Sequence, residues 1–233
     1  MLGRYASFSD ESSTQHHYTV IGGILCKDVV ARQLRQVIIE AQTGSRDTLK
    51  WSKIRAANKH RYEKVVDAAF EAITSHRMDF HSLVVAKSDE DHDTFNNGDS
   101  ELGFNKFVVQ HLYGFKRKLG KHARIRHMYA ARTSPHDLTK FESYIDGMAR
   151  KRFGISCAPC LAVDHVDYRK DRMFWIADIL IGAIGASYNN LLNQGSAKEQ
   201  IAERIRISAN LPSLTQETPE HMRHFKIWKF RPS

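Results

Sequence analysis

Met173-Phe174-Trp175-Ile176-Ala177-Asp178-Ile179-Leu180-Ile181-Gly182-Ala183-Ile184 is an apolar run interrupted by one carboxylate, and Asp178 is the only acidic residue between Arg172 and Lys198. Burying an unpaired ionised carboxylate is costly enough to force it to protonate or to find a partner. Asp178 therefore calls for a cation, a set of hydrogen-bond donors or a metal ion. The run falls short of the roughly 20 apolar residues that cross a bilayer and carries a central charge. It reads as a helix of a protein core, with no membrane association expected.

Outward from this helix the chain alternates between two periodicities. On its N-terminal side, Leu161 to Tyr168 reads as a strand, Pro135 suits the first turn of a helix running to Arg152, and Ile125 to Ala131 is a short strand. Phe104, Phe107, Val108, His111, Leu112, Phe115 and Leu119 form one helical stripe, on which His111 reads as a hydrogen-bonded core histidine. The polar segment Ser88 to Glu101, with Asn96-Asn97-Gly98-Asp99, is a loop. Phe80 to Ala86 is a strand, preceded by the amphipathic helix Arg61 to Thr74 and by the loop Lys50-Trp51-Ser52-Lys53. Val29 to Gln42 is a helix ended by Gly44. Tyr5 to Ser9 and Tyr18 to Cys26 form an antiparallel hairpin joined by the polar stretch Asp10 to His17, and Gly22-Gly23 predicts a bulge or a close backbone approach. At the other end, residues 224–230 alternate apolar and basic residues, as an edge strand or a basic arm would. A hairpin followed by repeated helix–strand units predicts an α/β fold: a mixed sheet with helices on both faces, one domain over residues 1–233.

A formal net charge of +9 and thirteen histidines favour a polyanionic partner, with nucleic acid, RNA or DNA, first among them. The cations cluster at Lys116-Arg117-Lys118, Arg124-Ile125-Arg126, Arg150-Lys151-Arg152 and Arg169-Lys170-Asp171-Arg172. Basic residues at helix ends explain one or two such clusters better than four. Lys50, Trp51 and Lys53 would suit a strand-binding platform in which an indole stacks on a base and ammoniums meet phosphates; the alternative is an indole packed under its own loop. Three cysteines are too few for a disulfide scaffold, and the N-terminus lacks the apolar region of a signal peptide, so a cytoplasmic protein is expected. Cys157-Ala158-Pro159-Cys160 is at most half a zinc site, which His127 or His165 could complete only if the fold delivered them.

Asp10-Glu11-Ser12 follows the first strand, where an Asx-type turn is the ordinary reading. Set beside Asp178, Asp10 becomes half of a divalent-metal pair. Mg²⁺ and Mn²⁺ favour carboxylate oxygens, and such ions activate water and neutralise a scissile phosphate.

Asp10-Glu11-Ser12, Ile21-Gly22-Gly23-Ile24-Leu25, Lys50-Trp51-Ser52-Lys53, Ala177-Asp178-Ile179-Leu180-Ile181-Gly182 and Phe225-Lys226-Ile227-Trp228 together, in this order, resemble the bacterial family called domain of unknown function 3800. The resemblance spans nearly the whole chain. It implies a ribonuclease-H-like fold, carboxylates around a metal site and nuclease activity. The chain departs from that pattern where Thr48 stands in place of a Glu, where Tyr129-Ala130-Ala131-Arg132 lacks an acid, and where Phe174 or Trp175 replaces a Gln. Glu11, Asp47 and Asp167 are the acids available to compensate.

Two functions follow as expectations. One is a nuclease hydrolysing phosphodiester bonds, with Mg²⁺ or Mn²⁺ on Asp10 and Asp178 and with Glu11 and Asp167 assisting. The other is a catalytically impaired relative that binds nucleic acid, a protein partner or a second copy of itself. A zinc or redox enzyme built on Cys157 and Cys160 is a distant third.

Overall fold

Successive side chains of a strand point to opposite faces of its sheet, and the first strand sorts its residues accordingly. In the computed structural model, which describes residues 4–44, 47–89, 100–130 and 139–231, β1 (Arg4–Ser12) places Ala6 and Phe8 on one face and Ser7 and Ser9 on the other. It is followed by β2 (Tyr18–Lys27), α1 (Asp28–Ala41), α2 (Lys59–Thr74), β3 (Met78–Ala86), α3 (Ser100–Leu119) and β4 (Arg124–Ala130). Then come α4 (Thr139–Phe153), β5 (Ala162–Val166), α5 (Met173–Tyr188), α6 (Ala197–Ser208) and β6 (Phe225–Lys229).

The six strands form one sheet in the order β5-β4-β1-β2-β3-β6. β2 runs antiparallel to both neighbours, and the pairs β1–β4, β4–β5 and β3–β6 are parallel. This is the mixed α/β sheet expected, opened by an N-terminal hairpin and covered on both faces. One face carries Phe8, Val20, Ile24, Phe80 and Ile227 and packs against α1, α2, α5 and α6. The other carries Ile21, Leu25, Ile125 and Tyr129 and is covered by α3 and α4 through Val108, Leu112, Phe115, Phe141 and Ile145. Residues 224–230 contain an edge strand, β6, paired with β3. Among the described residues no helix is long and apolar enough to cross a membrane.

Several boundaries differ from expectation. Asp10, Glu11 and Ser12 belong to β1 instead of to a hairpin loop, and pair with Gly22, Ile21 and Val20. The β1–β2 register is unbroken from Tyr5–Lys27 to Ser12–Val20, so Gly22-Gly23 is a close approach without a bulge. A Cβ on Gly23 would lie 2.5 Å from the Phe8 carbonyl oxygen and 2.8 Å from Ser9 Cα, both backbone atoms that cannot rotate away. Gly23→Ala is therefore expected to cost about 2 kcal/mol and lower Tm by roughly 4–8 °C in a thermal unfolding scan. β5 ends at Val166, which leaves Asp167 just beyond the strand. Helix α6 is missing from the sequence reading, although Ser196 and Glu199 form a capping pattern there: Ser196 Oγ accepts from the Glu199 amide at 3.1 Å. Asn96-Asn97-Gly98-Asp99, Ala131, Arg132 and Pro135 lie outside the described residues.

Candidate active site between β1 and α5

Helix α5 reaches the hairpin because glycines on both sides remove what would hold it off. A Cβ at Gly22 would meet Ile181 Cγ2 at 2.5 Å, and one at Gly185 would meet Ser13 Oγ at 2.4 Å. Gly182 faces Trp51 in the same way, with a Cβ there 2.3 Å from the indole. The indole is thus packed on α5, with the Lys198 ammonium 5.8 Å from its ring centre.

This close packing brings Asp178 near enough for its charge to act on Asp10, which shares the Phe8 face of β1. Asp178 accepts a 2.5 Å hydrogen bond from the Trp51 amide, and Asp10 accepts one of 2.8 Å from the Glu11 amide. Tyr62 of α2 donates to the Lys50 carbonyl at 3.0 Å, so α2 and α5 hold the loop between them. Burial, then the neighbouring Glu11 and Asp178 charges, push the Asp10 carboxyl up to about 8. Burial also raises Asp178, against the opposing pull of the Trp51 amide and of Lys50. Lys50 is the cation that favours the charged form of both acids. Its ammonium lies 3.6 Å from the centre of the Tyr168 ring.

The remaining sequence candidates are placed elsewhere. Glu11 alternates to the opposite face from Asp10, where it accepts a 2.7 Å hydrogen bond from the Tyr129 hydroxyl. A direct share in a ligand set on the Asp10 face does not fit that position. Asp167 is gripped by the Arg169 guanidinium at 2.7 and 3.0 Å, and those hydrogen bonds hold its carboxyl down at about 2. Lys53 donates to Thr48 Oγ1 at 3.1 Å on the surface.

Among the described residues the cysteine pair gathers no metal-ligand cluster. Cys157 and Cys160 are free thiols, and Cys160 is pushed up to about 12 by burial. His127, offered as a completing ligand, is instead bonded through Nδ1 to Ser7 Oγ at 2.7 Å. His111 is the core histidine expected, bonded to Ser9 Oγ at 3.1 Å. Among the described residues no group of three or more His, Cys, Asp and Glu side chains is arranged to hold a metal ion. The role of Lys50 as common counter-ion had no signal in the sequence beyond its place beside Trp51. Tyr62, Tyr129 and Tyr168 had none at all, because each acts through a long-range contact.

No protein-family model and no curated protein matches this chain. Among solved structures, a chain of the PCNA:RNase HII complex from Archaeoglobus fulgidus is 13% identical with a TM-score of 0.42, over 87% of this chain and 75% of that one. Ribonuclease H2 from Pyrococcus horikoshii OT3 is 13% identical with a TM-score of 0.47, over 87% of this chain and 99% of that one. Both likenesses are of fold, at a level that carries no chemistry across.

Proposed function

We propose that this chain is a nuclease that hydrolyses phosphodiester bonds in RNA or DNA, with Mg²⁺ or Mn²⁺ held by Asp10 and Asp178. The observation that supports this reading is the meeting of two carboxylates, from β1 and α5, at a partly buried spot where Lys50 is the cation acting on both. Burial and mutual repulsion keep a proton on Asp10 up to about pH 8, and a divalent cation would displace that proton and stabilise both carboxylates. The donor set fits such an ion, because Mg²⁺ is commonly bound through one or two carboxylates, with water and substrate phosphate completing its shell. When bound, it supplies charge neutralisation at the scissile phosphate and a more acidic water. The chain's own residues fix the geometry. The Trp51 and Glu11 amides orient the two carboxylates, and the Tyr168 ring keeps the Lys50 ammonium beside them, in reach of a phosphate oxygen.

Cleavage of labelled RNA and DNA with Mg²⁺, Mn²⁺ or EDTA tests the reading, with Asp10→Ala and Ala131→Asp as variants. Metal-dependent cleavage lost in Asp10→Ala supports it. Absence of cleavage in the wild type and in Ala131→Asp would remove it.

A second reading, a catalytically impaired module that binds nucleic acid, draws on specific contacts. Glu11 is engaged on the far face by Tyr129, Asp167 is tied to Arg169, and Lys50 already serves as a counter-ion inside the site. Under this reading nucleic acid binds equally well in EDTA, and its affinity falls steeply with added salt.

A further inference from the structure

On the face of the sheet opposite Asp10 lies a cavity of about 470 Å³. It is bounded by the last turns of α3 and α4, by β3 and β6 and by the segment leading into β6. Five cations line it: Arg117 and Lys118 from α3, Arg152 from α4, and Arg223 and Lys226 around the start of β6. One carboxylate, Glu220, stands among them.

These cations are not equivalent. Lys118 forms an ion pair with Asp79. Lys226 donates to the carbonyls of Pro219 at 2.9 Å and Thr218 at 3.4 Å, and the charges of Glu220 and Glu217 act on it. Arg117 lies over the Trp228 ring, its guanidinium carbon 5.7 Å from the centroid. Arg152 lies 5.7 Å from the centre of Phe153. Among the described residues, Arg117, Arg152 and Arg223 form no ion pair with a carboxylate. The floor is polar too. His81 stacks on Phe115 at 5.0 Å between ring centres, and His111 is bonded to Ser9.

Basic last turns complement helix dipoles, which accounts for Arg117 and Arg152 one at a time. It does not account for two helices ending at the same cavity, nor for Arg223 and Lys226, which belong to neither helix. Like charges gathered around a concave surface repel one another unless an anion joins them. Guanidiniums present planar, paired donors that match phosphate oxygens, and an aromatic wall beside them suits a nucleotide.

We propose that this cavity is a phosphate-binding site, with Arg117, Arg152 and Arg223 as the recognising groups and Trp228 as its aromatic wall. The phosphate is that of a nucleotide or of a polynucleotide backbone. The site stands apart from the Asp10–Asp178 pair, on the other side of the sheet, and does not depend on that pair being catalytic.

The test is binding in EDTA, so that cleavage plays no part, with inorganic phosphate, AMP and a fluorescein-labelled single-stranded oligonucleotide as probes. The variants are Arg117→Gln/Arg223→Gln, the same pair with Arg152→Gln, and Arg204→Gln as a control, since Arg204 pairs with Asp67 on α2. The double variant is expected to weaken oligonucleotide binding about tenfold or more, because each lost bond is a charge-assisted one. Arg204→Gln is expected to bind like the wild type. Competition by phosphate and AMP would identify a site for any phosphate group; binding of the oligonucleotide alone, lost in the variants, would identify the backbone as the source. Either result supports the proposal. Unchanged binding in the triple variant would overturn it. The oligonucleotide is also expected to shift the His81 and His111 ring resonances of the wild type, a readout that no variant's folding can confound, and unshifted resonances at saturating oligonucleotide would overturn the proposal as well.

Discussion

Asp178→Asn is expected to make the protein more stable and, at the same time, unable to cleave. The carboxylate is raised by burial, faces Asp10, and shares the Lys50 ammonium with it. An asparagine keeps an oxygen to accept the Trp51 amide while removing the charge. Because burial disfavours the charged form, removing the charge is expected to raise Tm in EDTA. Cleavage is expected to fall at least about a hundredfold, since a lost metal ligand removes several kcal/mol of transition-state stabilisation. Thermal unfolding and the cleavage assay, run on one preparation, check both halves. A variant that melts well below the wild type would mean that Asp178 holds the fold together, and the charge-cluster account would be wrong.

The second large effect is on acid stability, through three buried histidines on α3, β3 and β4. Burial holds His81, His111 and His127 at about 3, far below their ordinary 6.5. The unfolded chain takes up these protons as the pH falls below 6.5, and the folded one does not. Their stabilising contribution is therefore complete above pH 6.5 and is lost progressively down to about pH 3. At pH 5 each costs on the order of 2 kcal/mol, and three together rival the net stability of an ordinary domain. Asp10 acts in the opposite direction. Its folded form keeps a proton up to about pH 8 that the unfolded chain releases above 3.8, so acidification through that window favours folding. Asp178, also raised, works in the same sense. Three proton uptakes by the unfolded state against these opposing carboxylates leave stability falling with acid. Urea unfolding between pH 6 and 4.5 should show it. In Asp10→Asn the slope should steepen by about one proton, roughly 1.4 kcal/mol per pH unit. In His127→Gln, which keeps a polar partner for Ser7, it should flatten by the same amount. Equal slopes in all three proteins would contradict buried, neutral histidines.

Much of this architecture could be read from residue order. The apolar run around Asp178 is a buried helix, α5, and the hairpin, the alternation of helices and strands and the edge strand near the C-terminus all stand. The pairing of Asp10 with Asp178 came from a local argument, that a carboxylate in an apolar helix must have company. What could not be read depended on alternation and long-range contact. Asp10 and Glu11 look like one acidic unit in the sequence, yet a strand sends them to opposite faces. Strand β1 runs through Asp10–Ser12 although these residues have turn chemistry, because pairing with Gly22, Ile21 and Val20 overrides local preference. Asp167 lies near α5 in sequence, but Arg169 two residues on takes its carboxylate. Trp51 and Gly182 fit together across the fold, a match that neither residue announces alone. Helix α6 announces its start through Ser196 and Glu199, but its apolar stripe is too short to stand out, with Ile201, Ala202 and Ile205 as its buried residues.

Calorimetric titration of Mn²⁺ into the wild type and into Asp178→Asn tests the central claim most directly, that Asp10 and Asp178 form one acidic site for a divalent cation. Saturable binding to the wild type, absent from the folded variant, is the result predicted. No binding to the wild type, or equal binding to both proteins, would contradict it.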